Sequence, residues 1–89
     1  MLMKWTDLEP GDIIRVNSRV REDKTYCNSN WANEDLVIIE IIKGCDGSIY
    51  IETTGEKSHS AGFVIDENGV EKYVPQYGQF FEIVSLKED

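Results

Sequence analysis

The chain has few of the residues that build sites on their own. Of 89 residues, two are cysteine and one is histidine. Cys27 and Cys45 form no Cys-x-x-Cys unit, and His59 is remote from both in sequence. A closed zinc site needs four ligands at paired short spacings, so this set predicts no metal. Two free thiols are expected instead, as in a protein kept in a reducing cytoplasm. No Asn-x-Ser/Thr sequon occurs, which gives no support to an extracellular life. No apolar run approaches the roughly 18 residues of a membrane span, and the first residues, Met1 to Asp7, carry no signal-like hydrophobic segment. The expectation is a cytoplasmic protein with no membrane attachment. Phosphate-loop and dinucleotide motifs are also missing. Gly44-x-x-Gly47 lacks the lysine and helix that would follow, so no cofactor is expected.

Positive charge is scarce. Nine basic residues face seventeen acidic ones, a net charge of -8. Such a body repels a phosphate backbone on average, which disfavours generic nucleic-acid binding. The distribution is uneven. Residues 15–24 hold four basic side chains (Arg15, Arg19, Arg21, Lys24) and two acidic ones (Glu22, Asp23), a balance of +2, and the remainder holds five and fifteen, a balance of -10. One mildly positive segment therefore sits on an acidic body.

Helical periodicity is lacking too: no 3.6-residue pattern persists for three turns. What is present is strand and turn chemistry. Glu9-Pro10-Gly11-Asp12 is a turn, with Pro10 presetting one central position and Gly11 supplying positive φ at the next. Ile13–Val16 follows as a first strand. Residues 17–35 form a long polar loop with Tyr26 and Trp31 embedded, of the kind that is often functional. Five of the seven residues Leu36–Ile42 are Val or Ile, the composition of a strand. Alternation places Val37, Ile39 and Ile41 on one face and Glu40 on the other, wetter one. Ser48–Thr54 alternates cleanly, with Ile49, Ile51 and Thr53 inward, and pairs back on the preceding strand. Phe63–Asp66, an Asn68-Gly69 turn and Val70–Val74 read as a hairpin. A break at Pro75–Gly78 precedes a last strand over Phe80–Leu86. The 89 residues thus read as one all-β domain, a small antiparallel barrel of five to six strands.

The order of these elements resembles small bacterial and phage SH3-like β-barrels. The opening Leu8-Glu9-Pro10-Gly11-Asp12-Ile13-Ile14-Arg15-Val16 is similar to their first strand. The segment Phe63–Val84 is similar to their ending: a hairpin, a 3₁₀ turn near residues 75–79 carrying proline and an aromatic, and a closing strand. The resemblance implies that residues 17–35 are the long first loop. It does not extend to the binding of proline-rich peptides. Tyr73-Val74-Pro75-Gln76-Tyr77 has a Pro-to-Tyr spacing one residue short of the peptide-binding motif, the tryptophan pair near the third strand is missing, and Arg19, Arg21 and Lys24 stand where those domains place acids.

Chemistry-bearing constellations are sparse. Ser58-His59-Ser60 is no triad, because adjacent residues point apart and no oxyanion hole is implied. A non-catalytic protein is expected. In this class of barrel the first loop and the 3₁₀ turn converge, which would gather Trp31, Pro75 and Tyr77 into a partner-binding patch bordered by Arg19 and Arg21. Trp31 could equally fold back as a lid on the core, and Trp5 could plug one barrel end. The leading expectation is a protein- or peptide-interaction module. The alternative is an acidic inhibitor that imitates nucleic acid, with Glu40, Glu52, Glu71 and Glu82 spaced along strands.

Overall fold

The Glu9–Asp12 turn forms as its residues dictate. Gly11 takes φ of 101°, and the Asp12 N–H donates to the Glu9 carbonyl at 3.1 Å. The Asp12 carboxylate is buried and accepts the Glu9 N–H at 2.8 Å. The structure is a computed structural model that describes residues 7–73 and 75–86. Trp5, expected at one end of the fold, lies outside them.

Among the described residues five strands follow: β1 (Ile13–Val16), β2 (Asp35–Lys43), β3 (Ile49–Thr54), β4 (Ala61–Ile65) and β5 (Phe81–Ser85). They form one sheet of order β4-β3-β2-β1-β5, every pairing antiparallel. β4 and β5 are its two edges and do not pair with each other, so the sheet is open rather than closed. A 3₁₀ turn at Pro75–Tyr77 precedes β5, as the sequence predicts. Among the described residues no helix is long and apolar enough to cross a membrane.

Three expectations change. The loop over 17–35 is structured in part. A one-turn helix, α1 (Ser18–Arg21), starts at Asn17, whose side chain accepts the Val20 N–H at 3.1 Å, and it buries Val20. A 3₁₀ turn at Asn30–Asn33 buries Ala32. Second, the returning strand at Val70–Val74 is reduced to isolated bridges, Ile65 with Glu71 and Val70 with Gln79. The hairpin still closes through backbone bonds, the Asp66 N–H donating to the Val70 carbonyl at 3.0 Å and the Lys72 N–H to the Val64 carbonyl at 2.8 Å, with side chains serving the amides around them. Asp66 Oδ1 accepts the N–H groups of Asn68 and Val70, and Glu71 Oε2 accepts that of Tyr73. Val74 itself lies outside the described residues.

Third, β2 presents the opposite face to the core. Leu36 and Ile38 are buried, whereas Val37 and Ile39 are exposed. A bulge between Ile38 and Glu40 inserts a residue, so Ile41 points inward again beside Ile51. A bulge breaks strict alternation, and alternation was the only signal in this run. The bulge falls where β2 leaves the opening turn: Ile38 donates to the Asp12 carbonyl at 2.9 Å and accepts the Gly11 N–H at 2.7 Å.

The core lies on one side of the sheet, formed by Ile14, Val16, Leu36, Ile38, Ile49, Ile51, Ile65 and the rings of Phe63, Phe80 and Phe81. The three phenylalanines pack mutually at centroid distances of 4.8 to 5.8 Å.

Candidate binding surface

Over this phenylalanine cluster sits a second layer of rings. Trp31, from the 3₁₀ turn before β2, meets Phe63 nearly edge-on at 5.3 Å and Phe80 at 6.1 Å. Tyr26 tilts against Trp31 at 5.7 Å and meets Tyr77 edge-to-face at 6.3 Å. Trp31, Tyr26 and Tyr77 are each half-buried. Trp31 is therefore a lid on the core whose ring still reaches solvent.

Asp23 sets this row. Its Oδ1 accepts the Thr25 N–H at 2.8 Å, and its carbonyl accepts those of Tyr26 and Cys27, both at 3.0 Å. That turn fixes where Tyr26 leaves the chain. Asp23 Oδ2 accepts the Tyr77 hydroxyl, tying the first loop to the Pro75–Tyr77 turn. Asn33 ties the first loop to itself, its Nδ2 donating to the carbonyls of Cys27 at 2.8 Å and Ser29 at 3.1 Å. Glu34 fastens the far loop. It accepts the N–H groups of Lys57 at 3.0 Å and Ser58 at 2.8 Å. The Ser58 hydroxyl beside it, with these two amides, holds its carboxyl below the usual range.

The expected patch residues divide. Among the described residues Tyr77 meets Trp31 through Tyr26, which composition did not single out as a bridge. Arg19 is exposed and lines a hollow of about 270 Å³ with Tyr77, Asn17, Gln79 and Glu82. Pro75 is exposed, but it lines a different hollow, of about 550 Å³, with Asp46, Asp66, Glu67, Glu71 and Lys72. Arg21 lies in a third hollow, of about 380 Å³, with Arg15, Asn33, Glu34 and Asp35. Its Nε is buried with no hydrogen-bond partner among the described residues, and Arg15 next to it is paired with Asp35 at 2.7 Å. The two arginines thus do not flank one surface.

The four strand glutamates separate as well. Glu40 and Glu52 stand opposite each other across β2 and β3. Glu71 is buried, and Glu82 lies opposite Arg15. Among the described residues no group of three or more His, Cys, Asp or Glu could hold a metal. Cys27 and Cys45 are unbridged, and His59 is exposed. Comparison with family models, curated proteins and solved structures finds no match for this chain.

Proposed function

We propose that the protein is a non-catalytic, SH3-like interaction module that binds a protein or peptide through the row Trp31–Tyr26–Tyr77, oriented by Arg19. The row carries the reading: three half-buried rings in contact, backed by a rigid core and tied at Tyr77 to Asp23. Rings with polar tips held in place lose little entropy on binding and supply large contact area. Arg19 beside Tyr77 makes no ion pair among the described residues, so it is available to a partner's carboxylate or ring. Strand order and the 3₁₀ turn before β5 support the SH3-like reading of the fold.

A displayed random-peptide library selected on the full chain tests this. Peptides that bind should shift the amide signals of Tyr26, Trp31 and Tyr77, and should weaken about tenfold or more on Tyr77→Ala and Arg19→Glu. Binders that map elsewhere and ignore both substitutions would refute it. The acidic-mimic reading retains Glu40 and Glu52 but loses Glu71 to burial and Glu82 to its place beside Arg15. Capture of a basic, nucleic-acid-handling protein that salt releases would favour that reading over the aromatic row.

A further inference from the structure

β2 is apolar on both faces. A strand of that composition ordinarily belongs where both faces are covered, yet only one is covered here. Val37, Ile39 and Ile42 are 37%, 49% and 53% exposed. Strand register extends the outer patch, placing Ile42 opposite Tyr50 and Tyr50 opposite Val64. Single exposed aliphatic residues need no explanation, but a contiguous patch marks a contact surface.

Two carboxylates lie within it. Glu40 and Glu52 face each other directly, an arrangement that costs stability in isolation. Neither has a lysine or arginine ion-pair partner among the described residues. Glu52 is held in place, accepting the hydroxyls of Tyr50 and Ser60. Tyr50 is itself laid across Gly62, where a Cβ would stand 2.9 Å from its Cζ. The patch is therefore an ordered surface with fixed negative charge at its centre.

We infer that the outer face of β2 and β3 docks a protein partner that presents aliphatic side chains beside lysine or arginine. Charge selects this occupant. A second copy paired symmetrically would bring the same patch against itself, setting one glutamate pair towards another on chains of net charge -8. A basic partner relieves the repulsion between Glu40 and Glu52 while covering the aliphatic side chains. The face is distinct from the aromatic row, which caps the opposite side of the sheet, so it does not depend on that row's function.

The probe is an amphipathic lysine–leucine helical peptide, with its glutamate–leucine counterpart as control, titrated into the isotope-labelled full chain. The lysine peptide should shift Val37, Glu40, Ile42, Tyr50 and Glu52, and the glutamate peptide should not bind. The exposed double substitution Ile39→Thr/Ile42→Thr keeps β-branched residues in the strand and should weaken binding about tenfold or more. Glu40→Lys, a surface change, should weaken it comparably. Affinity that survives both variants would mean general attraction to an acidic body and would overturn the inference. So would a free chain that sediments as a dimer dissociated by Ile39→Thr/Ile42→Thr, or peptide binding that appears only after residues 1–6 are deleted.

Discussion

Replacing Trp31 with alanine tests how the aromatic layer and the core depend on one another. The indole meets three rings, Phe63, Phe80 and Tyr26, at 5.3, 6.1 and 5.7 Å. Truncating a fully buried large aromatic costs about 3–5 kcal/mol, and each ring pair contributes roughly 0.5–1.5 kcal/mol beyond its area. Trp31 keeps one side in solvent, so part of the transfer term is missing, and the expected loss is about 2–4 kcal/mol. In a domain of this size each kcal/mol moves the midpoint by about 4–8 °C, so the melting temperature should fall by roughly 8–32 °C. That is a large share of a total stability of about 5–15 kcal/mol.

Calorimetry or far-ultraviolet circular dichroism is the appropriate assay, because the substitution removes a fluorescent reporter. Trp31→Phe keeps a ring over Phe63 and should lose only about 1 kcal/mol. A loss below about 0.5 kcal/mol for Trp31→Ala, the range of substitutions that touch nothing, would show that the indole does not seal the core. The rigid backing claimed for the aromatic row would then fail with it.

Gly62→Ala should force the Tyr50 ring off β4 and break its bond to Glu52. A loss of at most about 1 kcal/mol by chemical denaturation is expected, because the displaced atoms are the outer end of a half-buried ring, and Tyr50 ring signals unmoved from wild type would refute the close approach. Tyr77→Phe removes the hydroxyl that Asp23 accepts and should cost about 1 kcal/mol while shifting the Thr25 and Tyr26 amides; unmoved amides would deny the tie. Acid should destabilise the fold through Glu34 and Glu52. The Ser58 hydroxyl and the Lys57 and Ser58 amides lower the first carboxyl, and the Ser60 and Tyr50 hydroxyls lower the second. A depressed folded-state pKa gives stability that is present above the usual value of 4.5 and is lost as pH falls through the folded value. Glu34→Gln and Glu52→Gln should each flatten the acid side of a melting-temperature profile, and profiles parallel to wild type would reject the assignment.

Local chemistry was legible wherever it was strictly periodic or strictly turn-like. The Pro10-Gly11 turn, the Ile49, Ile51 and Thr53 face of β3, and the Pro75–Tyr77 turn all stand where residue types put them. β2 was not, because Val37, Ile38 and Ile39 are equally apolar and no residue type announces a bulge. The shift comes from backbone bonds to Gly11 and Asp12, a constraint from another part of the chain. The hairpin after Asn68-Gly69 forms, but its returning arm is shorter than the expected strand. Asp66 carries a carboxylate that takes the Val70 amide in place of a backbone carbonyl, and that leaves no trace in a pattern of apolar residues. In the candidate surface Trp31 and Tyr77 were visible as aromatics in polar sequence. The link between them was not, because it runs through Tyr26 and Asp23, and Asp23 is 54 residues from Tyr77.

The same bulge joins the two surfaces. Up to Ile38, β2 sends its even-numbered side chains inward, where they pack with Ile14 and support the core beneath Trp31. Beyond it, parity reverses, and Glu40 and Ile42 turn outward beside Glu52 and Tyr50. Without the extra residue, Glu40 would point into the core and Ile41 out of it, since a one-residue slip exchanges the faces of a strand. An ionised carboxylate facing Ile51 would cost several kcal/mol, so the bulge is required by this sequence once its first half has paired with β1. It also separates the surfaces physically. The aromatic row lies over the core side and the glutamate pair lies on the outer side, with the thickness of the sheet between them. A partner on one face therefore leaves the other open, and substitutions at Tyr77 and at Ile42 should act independently on whatever each face binds.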